Sequence, residues 1–335
     1  MGQGTKRTIG VYGAAGHTGK FVANELRRRG WSPVLVGRDA RLHELYPGAD
    51  VRIAAVDDAA ALDRALAGVG LVINCAGPFL ETADPIVRAA LRAGAHYLDV
   101  TAEQPSARAI LAQFGNAAAE ANVVVSPAFA FYGALADLLT TAAMGDWPKA
   151  DTVTIAMALD RWWPTPGTRI TGKRNTARRI VISDGQPTFV ADPPHRRTWD
   201  FPAPFEAQEM IELPFSEIVT IAHHVQAREI HSYINLAPLT DIRNPDTPPP
   251  RAEDESGRSA QTFAMDVVVE HGNEQRRATA QGRDIYAFSA PLIVEGAERI
   301  LNGRAKRAGT AAAGELFDAP DFLASLAEHL TVTFR

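Results

Sequence analysis

From Thr8 to about Ser126, short apolar runs alternate with stretches whose apolar residues recur at helical spacing. This is the pattern of parallel strands joined by crossover helices. Residues 9–12, 33–36, 51–55, 71–75, 97–100 and 123–125 read as six strands, with helices over 40–46, 59–67, 84–93 and 107–121. The first helix has an apolar stripe of Phe21, Val22 and Leu26, closed by Arg27, Arg28 and Arg29 and stopped by Gly30. Six such strands predict an α/β fold, a Rossmann-like doubly wound parallel sheet with helices on both faces.

The texture changes after about Gly145. Residues 152–159, 180–182, 218–222, 230–236 and 263–270 are β-rich and separated by prolines and turn clusters, which predicts a second, α+β domain on a mainly antiparallel sheet. Residues 244–250 are too proline-rich for regular structure and read as an exposed loop. Helical spacing returns at 290–301 and 320–330. The organisation expected is a nucleotide-binding domain over 1–145, a substrate and dimerisation domain over 146–288, and C-terminal helices over 289–335 that return to the first domain.

Composition adds exclusions. The chain has 335 residues, against the ~150 that serve as a prior for one domain. Apolar residues are 46% and charged residues 22%, which excludes a disordered or fibrous chain. The 34 basic and 39 acidic residues give −5, leaving no general electrostatic reason to bind nucleic acid or a membrane. No apolar run approaches the ~20 residues of a membrane span. Residues 1–7 enter the first strand without a signal-peptide core, and one cysteine, Cys75, forms no internal disulfide, so a reducing cytoplasm is expected.

The chemistry starts at Gly13-Ala14-Ala15-Gly16-His17-Thr18-Gly19, directly between the first strand and first helix. That context suits a dinucleotide: one glycine makes the tight turn, one lets amides approach the pyrophosphate, one lets helix and sheet pack, and the helix N-terminus faces the phosphates. Thr18 can add a hydroxyl. The spacing is GxxGxxG, a variant that often goes with NADP. At the end of the second strand, Arg38 offers a planar fork to a 2′-phosphate. The competing reading makes Asp39 a ribose ligand, but Asp39 also stands where the next helix needs a cap. NADP(H) is therefore the expected cofactor. After the third strand, Asp57 is a candidate for the adenine and Asp58 for a helix cap.

At the C-terminal end of the fourth strand, Asn74-Cys75-Ala76-Gly77-Pro78-Phe79 makes a small-residue turn that lets the backbone pass close to ribose and nicotinamide. Cys75 reads as a buried apolar residue rather than a nucleophile. Asp99, Thr101 and Glu103 fall at or beyond the carboxyl end of the fifth strand, with Asp99, Glu103 and Tyr132 as candidate catalytic groups. His96 precedes that end and reads as structural. Phe79, Thr101, Phe131, Trp162 and Thr168 are candidate substrate contacts, and a helix expected to carry Lys173, Arg174, Arg178 and Arg179 would flank Trp162 and Trp163. That grouping suits an anionic or CoA-like substrate, or simply a solvated helix face. His223, His224 and His231 lack an acid or cysteine at ligand spacing, so no metal is expected.

The loop from Gly13 to Gly19, the Val36-Gly37-Arg38 strand end, VINCAGPF (72–79) and AGAHYLDVTAEQ (93–104) resemble the saccharopine dehydrogenase-like reductases, a group that includes saccharopine reductases and trans-acting enoyl reductases. A weaker likeness lies in Gly282-Arg283-Asp284-Ile285-Tyr286 and the helices after it. The resemblance implies NAD(P)-linked hydride transfer and a second domain involved in dimerisation, hence a homodimer. It names no substrate. Many relatives carry a Gly-Phe-Asp-Ser-Xaa-Pro-Ser-Asp segment after the sixth strand; here Pro127-Ala128-Phe129-Ala130-Phe131-Tyr132-Gly133 stands there, with Asp137 the one retained acid. The expected function is an NADP(H)-dependent oxidoreductase acting on a C=N, C=C or C=O bond of a small metabolite. The alternatives are an NADP-sensing or partner-binding protein, or an epimerase or isomerase that holds its NADP tightly.

Overall fold

The computed structural model describes residues 8–335; the expectation for residues 1–7 lies outside them. Strands and helices alternate through the first half: β1 (Ile9–Tyr12), α1 (His17–Arg28), β2 (Val34–Gly37), α2 (Leu42–Leu45), β3 (Val51–Ile53), α3 (Ala59–Leu66), β4 (Leu71–Asn74), α4 (Phe79–Ala93), β5 (His96–Asp99), α5 (Gln104–Gln113), α6 (Gly115–Glu120) and β6 (Val124–Ser126). β1, β4 and β6 are buried along their whole length, as central strands covered on both faces must be. The single helix expected over 107–121 is instead two, broken at Phe114, whose ring is buried. A π-helical turn over Phe131–Leu135 then runs into α7 (Ala136–Met144).

The second half continues β7 (Ala150–Leu159), α8 (Pro166–Arg174), β8 (Ile180–Ser183), β9 (Gln186–Phe189), β10 (Arg196–Asp200), β11 (Ala207–Glu212), α9 (Glu217–His224), β12 (Ala227–Asn235), α10 (Ala237–Arg243), β13 (Thr262–His271) and β14 (Glu274–Arg283). The chain closes with α11 (Ile285–Leu301), β15 (Gly309–Thr310), α12 (Ala313–Leu316), α13 (Ala319–Ala324) and β16 (Leu330–Phe334).

The first sheet is parallel throughout, in the order β15-β6-β5-β4-β1-β2-β3. The second runs β10-β11-β12-β7-β13-β14-β16, with the β8–β9 hairpin attached to β12. It is mixed: β7 and β12 are parallel and the other pairs antiparallel. One hydrophobic core runs from Ile9, Leu35 and Ile73 of the first sheet, through α7 and α11, to Val153, Ile155 and Met265 of the second. A separate cluster covers the other face of the first sheet.

Three further expectations change. Residues 218–222 are helix, not strand: Ile218, Thr220 and Ile221 of α9 are all buried, and that burial overrides their β-branched preference. Residues 320–330 are not one helix; α13 ends at Ala324, and β16 pairs with β14, so the last residues join the second sheet rather than the first domain. The basic stretch is not one helix either, because α8 ends at Arg174 and leaves Arg178 and Arg179 in the approach to β8.

Candidate functional site

The site begins where β1 feeds α1. Gly13 has φ +82°, and a Cβ there would lie 2.9 Å from the Ala76 backbone nitrogen, so only glycine fits against the β4 turn. A Cβ on Gly19 would lie 2.2 Å from the Gly13 carbonyl, which is what brings α1 close to the strand. Tyr46 donates to the Ala14 carbonyl at 2.9 Å and pins the loop. Gly16 stands at the N-cap of α1 with no side-chain cap bond, so the first-turn amides are not taken up by a capping side chain. The His17 ring meets Tyr286 edge-on at 5.5 Å, and its Nε2 is buried with no partner among the described residues. Burial lowers its pKa, keeping it neutral beside the loop.

At the next strand ends the two alternatives separate. Asp39 accepts from the Arg41 backbone at 2.9 Å and pairs with its guanidinium, so Asp39 is committed to Arg41, and Arg38 stands exposed on the cleft wall. Asp58 caps α3 by accepting from Ala61 at 2.8 Å, whereas Asp57 lines the cleft.

Behind the β4 turn lies a buried polar network. Asn74 Nδ2 donates to Tyr97 Oη and Thr82 Oγ1, each at 3.2 Å, and Tyr97 donates to Asp99 at 2.9 Å. The other Asp99 oxygen accepts the Thr101 and Ala128 amides at 2.9 and 2.8 Å. Burial lifts the Asp99 pKa to about 6, against these bonds. Both of its oxygens are engaged and it is not on the cleft wall, so Asp99 holds β5 to the segment after β6 instead of facing a ligand. Thr101 is also sealed: its hydroxyl accepts the Glu103 amide at 3.0 Å and its carbonyl accepts from Ser216 at 3.1 Å. Burial, then the Asp99 charge, pushes the Cys75 thiol up, which leaves it inert.

Glu103 differs from both. Its Oε1 accepts the Phe79 amide at 2.7 Å, at the N-terminus of α4, while Oε2 is buried without a partner among the described residues. It forms part of the cleft wall, and burial raises its pKa.

The facing wall comes from the second domain. Trp162 Nε1 donates to Tyr286 Oη at 3.0 Å, and Tyr286 also meets the Thr168 hydroxyl at 2.9 Å. Thr165 caps α8 and touches Thr168 at 2.9 Å. Tyr132, from the π-helical turn, stacks on Phe215 with centroids 4.2 Å apart. Arg174 at the end of α8 pairs with Glu81 of α4 across the mouth.

These walls enclose one cleft of about 1320 Å³. It gathers Gly13, Ala15, Gly16, His17, Thr18, Arg38 and Asp57 at one end. Cys75, Ala76, Gly77, Pro78, Phe79 and Glu103 follow, and Phe131, Tyr132, Trp162 and Thr168 stand opposite. Asp99, Thr101 and Gly19 are behind the wall. Sequence reasoning missed Phe215, Thr165 and Tyr286 as cleft residues; for Tyr286 the signal was the Gly-Arg-Asp-Ile-Tyr segment that carried the weaker likeness. The three histidines weighed as metal ligands lie elsewhere. His223 and His224 sit on helix α9, not on a strand, and His224 Nε2 pairs with buried Asp137 at 2.6 Å. His231 pairs with Glu212 at 2.6 Å on β12. No helix among the described residues is long and apolar enough to cross a membrane.

Residues 9–128 match the family model described as the saccharopine dehydrogenase NADP binding domain. A probable mitochondrial saccharopine dehydrogenase-like oxidoreductase of Arabidopsis thaliana is 31% identical over 147 residues, 38% of this chain and 32% of the relative. The match therefore spans about a third of that curated relative's length. Among solved structures, a saccharopine dehydrogenase (L-Glu forming) from Saccharomyces cerevisiae has a TM-score of 0.68 at 11% identity, covering 98% of this chain and 99% of that one. An amine dehydrogenase from Mycobacterium smegmatis has a TM-score of 0.50 at 12% identity, over 93% and 96%. At such identity these two show a shared fold. The glycine loop fits a dinucleotide, because Gly13 and Gly19 let the β4 turn and α1 pack against it while the first-turn amides of α1 have no capping side chain.

Proposed function

We propose that this chain is an NADP(H)-dependent oxidoreductase acting on a C=N, C=C or C=O bond of a small metabolite. The observation that carries the reading is the continuity of the cleft from the glycine loop and Arg38 to Tyr132 and the Trp162 and Phe215 wall of the second domain. Its volume of about 1320 Å³ exceeds the ~300–1,000 Å³ of a usual ligand pocket, leaving room for an acceptor beside a dinucleotide. A nicotinamide bound there would supply the hydride. The chain's own part is positioning, exclusion of water and delivery of a proton. Arg38 would read the 2′-phosphate, and Asp57 the adenosine end. Glu103 would give the proton, since the residue lines the cleft, its Oε2 is unpaired among the described residues, and burial favours its protonated form. Asp99 and Thr101 would hold the turn from behind. The single thiol, Cys75, fits a reducing cytosol, and dimerisation would use the second domain.

Fluorescence titration should show NADPH binding tighter than NADH, and Arg38→Ala should narrow that gap by about tenfold or more, the worth of a charge-assisted phosphate contact. Equal binding of the two cofactors by the wild type would remove the NADP assignment. NADPH oxidation against imine, enone and ketone panels then tests turnover. A protein that binds NADPH and oxidises it with none of them would be a sensor.

A further inference from the structure

The inner wall of the cleft contains charge and hydrogen-bonding capacity that the fold does not use. Arg179 lies on that wall, half-buried, with its Cζ 4.5 Å from the centroid of the Phe215 ring. Burial lowers its pKa. Of its five N–H donors, one bonds the Pro214 carbonyl, and no carboxylate lies within salt-bridge distance of it among the described residues. The nearby acid is Glu217, and burial lifts its pKa to about 7, which weakens it as a counter-ion. A desolvated guanidinium held this way is costly unless an anion completes it.

Beside it, the Tyr132 hydroxyl is buried with no partner among the described residues. Burial first, and the Tyr286 and Glu217 charges next, keep that phenol protonated, while the Arg179 charge reaches it and pulls the other way. Two donors that lack acceptors therefore share one stretch of wall. The surfaces around them are flat and aromatic: Tyr132 stacks on Phe215, and the Trp162 ring lies 6.2 and 6.3 Å from the two. Of the other carboxyl groups on the wall, Asp39 and Glu81 are paired with arginines and Asp57 is at the far end. Glu103 alone remains on the inner half.

We propose that Arg179 and Tyr132 form an anion subsite and that the acceptor is a planar, unsaturated carboxylic acid. Its carboxylate takes the open Arg179 and Tyr132 donors, and its flat body lies along Trp162 and Phe215. The arrangement places the acid group in the second domain, away from the reacting bond near Glu103. This rests on the oxidoreductase reading of the same cleft.

trans-Cinnamate and its neutral amide are suitable probes. Binding of each to NADP⁺-saturated protein is measured by calorimetry, and NADPH binding is measured separately by nicotinamide fluorescence. The wild type should bind cinnamate about tenfold or more tighter than cinnamamide, the discrimination expected of a charge-assisted pair. Arg179→Met should erase that preference, Arg179→Lys should keep part of it, and Tyr132→Phe should reduce it, all with NADPH binding unchanged. Equal binding of acid and amide by the wild type would overturn the subsite without reference to any variant. So would undiminished cinnamate binding by a folded Arg179→Met protein, or no binding of either compound. Failure of NADPH to bind the wild type is a different result, and it would remove the oxidoreductase reading itself.

Discussion

The Glu103 carboxyl is pulled in two directions. One oxygen accepts the Phe79 amide at the start of α4, where a negative charge is favoured, while burial of the whole group favours the neutral acid. The second influence is larger, so the pKa is raised, and Oε2 has no partner among the described residues. Glu103→Gln preserves an oxygen for the Phe79 amide and removes the acid. We expect NADPH affinity and thermal midpoint to stay as in the wild type, with turnover on any acceptor that the panel identifies down ~10²–10⁴-fold, the usual worth of a proton donor. Unchanged turnover would assign Glu103 to capping alone. At this scale the sequence was readable where the backbone dictates the residue: Gly13 and Gly19 leave no space for a Cβ. It was ambiguous at the end of β5, where Asp99, Thr101 and Glu103 alternate within five positions and only packing decides which faces the cleft. Arg179, Phe215 and Tyr286 come from three distant segments, and nothing local brings them together.

Element by element, the parallel sheet was legible because buried strands read as unbroken apolar runs. Helix α9 was not, since the run Ile218-Val219-Thr220-Ile221 carries β-branched side chains that a helix accepts only when tertiary burial rewards it. That helix also sets a pH dependence. Burial lifts Glu217 at its N-terminus to about 7, and His224 at its C-terminus is raised by the Asp137 carboxylate despite burial. Both groups hold protons in the folded state that the unfolded chain releases at lower pH. For Glu217 the stabilisation is complete below about 4.5 and falls as pH rises to about 7; for His224 it is complete below 6.5 and falls as pH passes the folded value. Denaturant unfolding should therefore show less stability at pH 8 than at pH 6. Glu217→Gln, which keeps an acceptor for the Phe215 amide, should remove the Glu217 share of that loss, about 1.4 kcal/mol between pH 6 and pH 8 and about 3 kcal/mol over the whole rise from 4.5, at ~1.4 kcal/mol per pH unit. A variant with the wild-type pH slope would show that Glu217 is not the group titrating.

For the molecule as a whole, the two sheets share one core. β1, β2 and β4 contribute Ile9, Leu35 and Ile73 to the same apolar cluster that takes Val153 and Ile155 from β7, and α7 and α11 are packed between. The chain also crosses back twice, as β15 pairs with β6 in the first sheet and β16 with β14 in the second. Arg29 at the end of α1 pairs with Glu25 on its own helix and with Glu295 and Glu298 on α11, at 2.6–2.7 Å, and Trp31 donates to Glu298 at 2.7 Å. The helix that begins at the glycine loop is thus locked to the helix that follows the second sheet. Chains of this size often unfold domain by domain; here neither sheet keeps its core if the other leaves. We expect one unfolding transition in urea, at the same midpoint whether followed by tryptophan emission, which is weighted to the second domain by Trp147, Trp162, Trp163 and Trp199, or by loss of bound NADPH fluorescence from the first. NADPH at a hundred times its Kd should stabilise that single transition by about 2.7 kcal/mol in both signals. Arg29→Ala removes the cation shared by Glu25, Glu295 and Glu298, although Glu25 keeps Arg28 and Glu295 keeps Arg299, and it should lower the stability of the single transition by about 1–3 kcal/mol without splitting it. Two separated midpoints in the wild type, with NADPH shifting only one, would mean that the shared core does not couple the domains.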